Sequence, residues 1–221
     1  ESLEAAFKRL ATLAADLRRA GHAVERIDLG GGLAIPYRMT EPFDHGPDLI
    51  RDYARMVERV IGPLGVEHGF EPGRVLVGNA GVLLSEVVHL NQRARRTFAV
   101  LDAAMNDLAR PAIYKAYHEI WPVRRAPVGG PTELYDVVGP ICESTDTFAK
   151  DRRLPALAAG DLVVLKSAGA YGSSMSSSYN ARPLVAEVLV RGGALSVVRP
   201  RQTYEELIGQ DRLPSWLGTE R

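Results

Sequence analysis

Helical periodicity and short apolar runs alternate along residues 2–90, and no other feature of the sequence constrains the fold as tightly. Leu3, Phe7, Leu10, Leu13, Ala14 and Leu17 recur at helical spacing over residues 2–20, with Lys8, Arg9, Asp16 and Arg18 on the other faces. Ser2 is placed to cap that helix and Gly21 to stop it. Residues 24–29 read as a strand running into Gly30-Gly31-Gly32. A second helix is expected over 47–61, from Leu49, Ile50, Tyr53, Met56, Val57 and Val60. A short apolar strand is expected at 74–77, and a third helix at 80–90 with Val82, Leu83, Val87 and Leu90 inward. Helix–strand–helix–strand–helix is the beat of an α/β fold with a parallel sheet.

Near Asn91 the character changes. Residues 98–103, 135–141, 162–167, 186–190 and 194–199 read as strands divided by Gly, Pro and Ser, with a helical insertion at 109–118 and a serine-rich loop at 173–178. A domain boundary is expected near residue 92, separating an α/β part (1–92) from a β-rich part (93–221). The 27 basic and 27 acidic residues cancel, which argues against nucleic acid as a partner. Cys142 is the only cysteine, so no disulfide forms within the chain. With no apolar run long enough to span a bilayer and no leader pattern, a cytoplasmic protein is expected. The chain opens at Glu1 without an initiator Met, and is expected to be a piece of something longer.

Several clusters carry possible chemistry, each with a plainer structural alternative. Three consecutive glycines at a strand end let the backbone approach an anion, phosphate being the usual occupant; the alternative is a tight βα turn. The run is not GxGxxG, which disfavours a dinucleotide. Glu71-Pro72-Gly73-Arg74 joins a carboxylate, a flexible backbone point and a guanidinium able to hold phosphate or carboxylate through paired hydrogen bonds; the alternative is a surface turn with an incidental ion pair. Strand ends in a parallel sheet or barrel face one side, so the two loops would converge on one phosphate.

Arg110 and Tyr114 are four apart, suited to grip one carboxylate from a helix face, or to be a solvated Arg beside a half-buried Tyr. Cys142 lies in the polar run Gly139–Asp146 next to Glu143. A thiol can donate a proton near neutral pH, although a free Cys is more often a small buried apolar residue. Tyr171, between Ala170 and Gly172 at a strand end, is poised to contact a ligand or to cover a core edge. The five histidines show no metal-ligand spacing, so no metal is expected. No GxSxG elbow is present.

Taken together, DLGGGLAIPY, EPGR followed by VGNAG, DAAMNDLARPAIYKAYH, GPICESTD with DRRLP, and GAYGSSMSSSYNARP with AEVLV resemble the diaminopimelate decarboxylases. These belong to the pyridoxal-phosphate decarboxylases with an alanine-racemase-like barrel. The resemblance runs from about residue 24 to the C-terminus. It implies the C-terminal part of a pyridoxal-phosphate-binding (β/α)8 barrel followed by a mostly-β domain. It also implies decarboxylation of meso-2,6-diaminopimelate to L-lysine and CO2, the last step of lysine biosynthesis, with pyridoxal 5'-phosphate taking up the electrons left by CO2.

The resemblance also assigns roles. Gly30, Gly31 and Gly32 would form the phosphate loop, with Gly73 and Arg74 as its second wall; Arg74 would also reach substrate carboxylate. Glu71 would pair with the pyridine nitrogen. Arg110 and Tyr114 would bind the far carboxylate of the substrate, and Glu143 its distal ammonium. Cys142 would be the proton donor, and Tyr171 would contact cofactor and substrate. Cys142 and Glu143 would enter the site from a second subunit, which implies an obligate homodimer. Thr145 stands where the family usually has Gly, and Ser178 where it usually has Asn. None of Lys8, Lys115, Lys150 and Lys166 lies in the context of the family's Schiff-base lysine, so the chain is expected to be the C-terminal half of the enzyme and inactive alone.

Related decarboxylases of ornithine, arginine or carboxynorspermidine are rival readings. Glu143 argues against ornithine, where Asp is expected, and Arg110 with Tyr114 argues for a substrate with a second carboxylate. Carboxynorspermidine stays open. A non-catalytic regulatory homologue is a further rival, against which the presence of Cys142, Glu143 and Arg74 speaks.

Overall fold

The computed structural model describes residues 3–38, 46–124 and 130–217; the expected cap Ser2 lies outside them. The chain divides into two compact units, Glu1–Gly81 and Val82–Arg221, earlier than the boundary expected near residue 92.

The first unit runs α1 (Leu3–Arg19), β1 (Arg26–Asp28), α2 (Gly46–Val60), β2 (Glu67–Gly69) and α3 (Gly73–Val77). β1 and β2 pair in parallel, Ile27 opposite His68. Phe7 and Ala14 of α1 pack with Val57 and Ile61 around Ile27, Leu29 and Val66, and the Phe7 and Tyr53 rings meet edge-on at 6.0 Å. Each large side chain so buried contributes about 1.5–3 kcal/mol. Leu13 and Leu17, on the apolar face of α1, stay exposed, because two helices and two short strands cover only part of that face. At its end, the N–H groups of Gly21 and His22 donate to the carbonyls of Arg18 and Leu17, both at 3.0 Å, the closing pattern expected of Gly21.

Two expected elements are corrected. Residues 74–77 are helical, not a strand, and β1 takes its partner from Glu67–Gly69 instead. Three apolar residues after Arg74 fit either state, and the polar Glu67 and His68 disguised the true strand. Residues 80–90 are not a helix: β3 (Leu83–Arg93) alternates, with Ser85 and Val87 buried and Leu84 and Val88 exposed. Its apolar positions satisfy both periods, and pairing with two neighbouring strands decides for the sheet.

The second unit is built on β3, β4 (Arg96–Leu101), β5 (Ile120–Pro122), β6 (Thr132–Val138), β7 (Thr147–Pro155) and β8 (Leu162–Leu165), in the order β5-β8-β3-β4-β6-β7. All neighbours are antiparallel except β4 and β6. The edge strands β5 and β7 also touch, so the sheet curls almost into a barrel. Val87, Leu101, Leu108, Ile120, Tyr135 and Leu165 fill its interior. β7 was hidden in the sequence by its charged run Lys150–Arg153; Asp151 takes a left-handed φ of 49° there, with its N–H held by Asp136 at 2.8 Å. The expected helix at 109–118 shrinks to α4 (Arg110–Tyr114), since Lys115 turns left-handed and ends it. A hairpin of β9 (Glu187–Arg191) and β10 (Ala194–Arg199) precedes α5 (Tyr204–Ile208), which Thr203 and Glu206 cap reciprocally.

Candidate functional site

In the first unit, the structure brings the two glycine-bearing loops together at the C-terminal ends of β1 and β2. Leu29 N–H donates to the Gly69 carbonyl at 2.9 Å, and Glu71 N–H to the Gly30 carbonyl at 3.0 Å. Asp28 tightens the first loop by accepting from Gly30 N–H at 2.7 Å. Gly31 lies so close to the Glu71 carbonyl that a Cβ there would collide with it. Gly31 is thus required for the approach of the loops rather than for its own flexibility. Gly30, Gly31, Gly32, Glu71, Gly73 and Arg74 therefore form one group. EPGR follows a strand rather than preceding one, which is why both loops share an edge.

Among the described residues, the N–H groups of Gly31 and Gly32 have no hydrogen-bond partner, nor does the Arg74 side chain. Open backbone N–H groups beside a guanidinium, in a cradle that a Cβ would fill, suit a phosphate monoester.

The remaining candidates belong to the second unit, and all are tied to one segment, Asp102–Ala109, that leaves β4. That segment runs directly into α4, which carries Arg110 and Tyr114. Arg110 is buried and donates to His118 Nε2 at 3.0 Å, while His118 Nδ1 sits 2.8 Å from the Lys166 carbonyl. The carbonyl can only accept, so Nδ1 carries the proton and Nε2 accepts from the guanidinium. Burial, and then the Arg110 and Arg152 charges, hold the His118 pKa below its ordinary 6.5, against the bond to Lys166, which raises it. Tyr114, by contrast, is exposed.

Cys142 and Glu143 sit in the loop joining β6 to β7, and Cys142 is an exposed free thiol. Hydrogen bonds from Thr145 and Ser144 hold the Glu143 carboxyl below the usual range, keeping it anionic. Tyr171 follows β8 in a left-handed conformation, φ 59°, unusual for a bulky residue. Its loop is anchored by Asn106, whose side chain donates to the Ser177 carbonyl at 3.2 Å and whose carbonyl accepts from Ser177 N–H at 3.0 Å. Arg182 donates to Asn106 Oδ1 at 3.1 Å and lies 3.9 Å from buried Asp107, whose carboxyl burial pushes up.

Residues 14–169 match the family described as pyridoxal-dependent decarboxylase, C-terminal sheet domain. The chain belongs to this family. The chain is 45% identical, over 97% of its length and 49% of the relative's, to a diaminopimelate decarboxylase of Zymomonas mobilis. It is 39% identical, over 96% of its length, to one from Archaeoglobus fulgidus. A solved diaminopimelate decarboxylase from Helicobacter pylori, complexed with L-lysine, aligns with a TM-score of 0.81 at 34% identity over 95% of this chain and 50% of that one. The chain thus spans about half the length of the curated relatives it matches. Like the members of this family, it has the α/β unit followed by a mostly-β domain that its sequence leads one to expect.

Sequence reasoning assigned no role to Asn106, Asp107, His118, Asp146 or Arg182. Their only signal was polar residues embedded in motifs whose apolar neighbours are buried.

Proposed function

We propose that the full-length protein decarboxylates meso-2,6-diaminopimelate to L-lysine and CO2 with pyridoxal 5'-phosphate. The observation that carries the reading is the closure of the Gly30–Gly32 loop onto Glu71 beside an unpaired Arg74. When bound, the cofactor supplies an electron sink for the pair left by departing CO2. The chain's own residues bind and orient. Gly30, Gly31, Gly32 and Gly73 present backbone to the phosphate, Arg74 meets its charge and that of a substrate carboxylate, and Glu71 holds a proton on the ring nitrogen. Arg110 and Tyr114 take the carboxylate at the far end of the substrate, which a diamine precursor lacks. Glu143, kept anionic by its loop, accepts the distal ammonium. Cys142 delivers a proton to the carbon that lost CO2, and Tyr171 contacts cofactor and substrate.

The protein works as a cytoplasmic homodimer in which Cys142 and Glu143 serve the partner's cofactor. The exposed Leu189, Val190, Leu195 and Val198 of the β9–β10 hairpin support a larger assembly, since an isolated two-stranded sheet is marginal and exposed apolar patches mark interfaces. No helix among the described residues is long and apolar enough to cross a membrane.

Steady-state CO2 release by the full-length protein from diaminopimelate, ornithine, arginine and carboxynorspermidine tests the assignment. Preference for diaminopimelate supports it; preference for a substrate without a second carboxylate overturns it. No turnover of any substrate by a cofactor-loaded protein favours a regulatory homologue.

A further inference from the structure

We propose that Asp146 is the positioning residue for Cys142 and Glu143, clamping the loop that bears them onto the Asp102–Ala109 segment through two backbone N–H groups. The inference rests on the reading of Cys142 as proton donor. Asp146 is 3% exposed and closes the β6–β7 loop from within. Its Oδ2 accepts from Ile141 N–H, one residue before Cys142, at 2.8 Å, and its Oδ1 accepts from Met105 N–H at 2.7 Å. Its backbone joins the same turn: Asp146 N–H donates to the Glu143 carbonyl at 3.0 Å, and its carbonyl accepts from Gly139 N–H at 3.1 Å. One carboxylate thereby fixes two loops to each other, and Thr145 Oγ1 adds a second tie to Met105 Sδ at 3.7 Å.

Chemistry selects the residue type. Both acceptors face N–H donors, so an amide would present its NH2 to one of them and break that bond. The space is matched as well, since a Cβ on Gly139 would collide with the Asp146 carboxylate. Burial pushes the Asp146 carboxyl up while the Ile141 and Met105 N–H groups pull it down. The result is a loop with a locked base and an exposed tip, where Cys142 stands. A donor held in this way loses little freedom when it acts, and a displacement of about 1 Å at such a group can cost on the order of a hundredfold in rate.

A double-mutant cycle in the full-length holoenzyme tests the clamp, using wild type, Cys142→Ala, Asp146→Asn and the pair, with kcat for CO2 release, cofactor absorbance and melting temperature read on each. The clamp predicts that Asp146→Asn lowers kcat at least about tenfold with cofactor absorbance retained, and that in the Cys142→Ala background the fall is much smaller, reduced to what acts through Glu143. An equal fall in both backgrounds, or a lower melting temperature with kcat unchanged, overturns it and leaves the proton-donor reading intact. Wild-type kcat for Cys142→Ala overturns the proton-donor reading, and the clamp with it. If Asp146→Asn does not fold, Gly139→Ala, which crowds the carboxylate without removing it, takes its place in the cycle with the same outcomes.

Discussion

Arg110 and His118 form a buried pair in which the guanidinium donates to a neutral imidazole at 3.0 Å, and the imidazole is fixed by the Lys166 carbonyl at 2.8 Å. An imidazole accepts one N–H and fixes the direction of the guanidinium.

The first prediction concerns proton binding. With its native pKa depressed below 6.5, His118 contributes stability that is fully present above pH 6.5 and is lost as pH falls from there through the native value. In the full-length protein its imidazole NMR resonances should titrate below 6.5, and His118→Gln should flatten the acid limb of melting temperature against pH. Titration at or above 6.5 would contradict the assignment.

Arg110→Gln should raise KM for diaminopimelate far more than it lowers kcat. A hydrogen bond to a charged group is worth about 1.5–3 kcal/mol, or roughly 10- to 150-fold. An amino acid without a second carboxylate should be turned over no worse than by the wild type. Equal losses on both substrates would remove Arg110 from the far-carboxylate role.

Core packing gives a third expectation. Leu101 is fully buried in the curled sheet and Leu195 is 74% exposed on the β9–β10 hairpin. Leu101→Ala should cost about 2–5 kcal/mol in chemical denaturation. Leu195→Ala should stay within about 0.5 kcal/mol in any form where the hairpin is uncovered, and a larger loss in the dimer would locate an interface there.

The sequence was most legible where the backbone itself is constrained. Gly30–Gly32 and Gly21 announce a loop and a helix end, because few other residues fit there: Gly21, Gly30 and Gly32 take positive φ, and a Cβ on Gly31 would strike the Glu71 carbonyl. Reading failed where pairing decides. Leu83–Arg93 carries apolar residues that suit helix or strand, and only β4 and β8 on its two sides settle the matter. Glu67–Gly69 is too short and too polar to stand out, yet β1 needs it. Among site residues, those at the tips (Cys142, Glu143, Tyr171) could be named from motifs. The groups that hold the site loops and Arg110, namely Asp146, Asn106 and His118, could not, since their partners lie up to 76 residues away in sequence and include backbone atoms common to every residue.

Cofactor affinity of Gly31→Ala, measured by absorbance titration of the full-length protein with pyridoxal phosphate, tests the central claim most directly. A methyl group there meets the Glu71 carbonyl and must pry the two loops apart. Overpacking costs about 1–3 kcal/mol, so affinity should fall about 5- to 150-fold while the protein remains folded. Unchanged affinity in a folded Gly31→Ala protein would mean that these loops do not hold the phosphate.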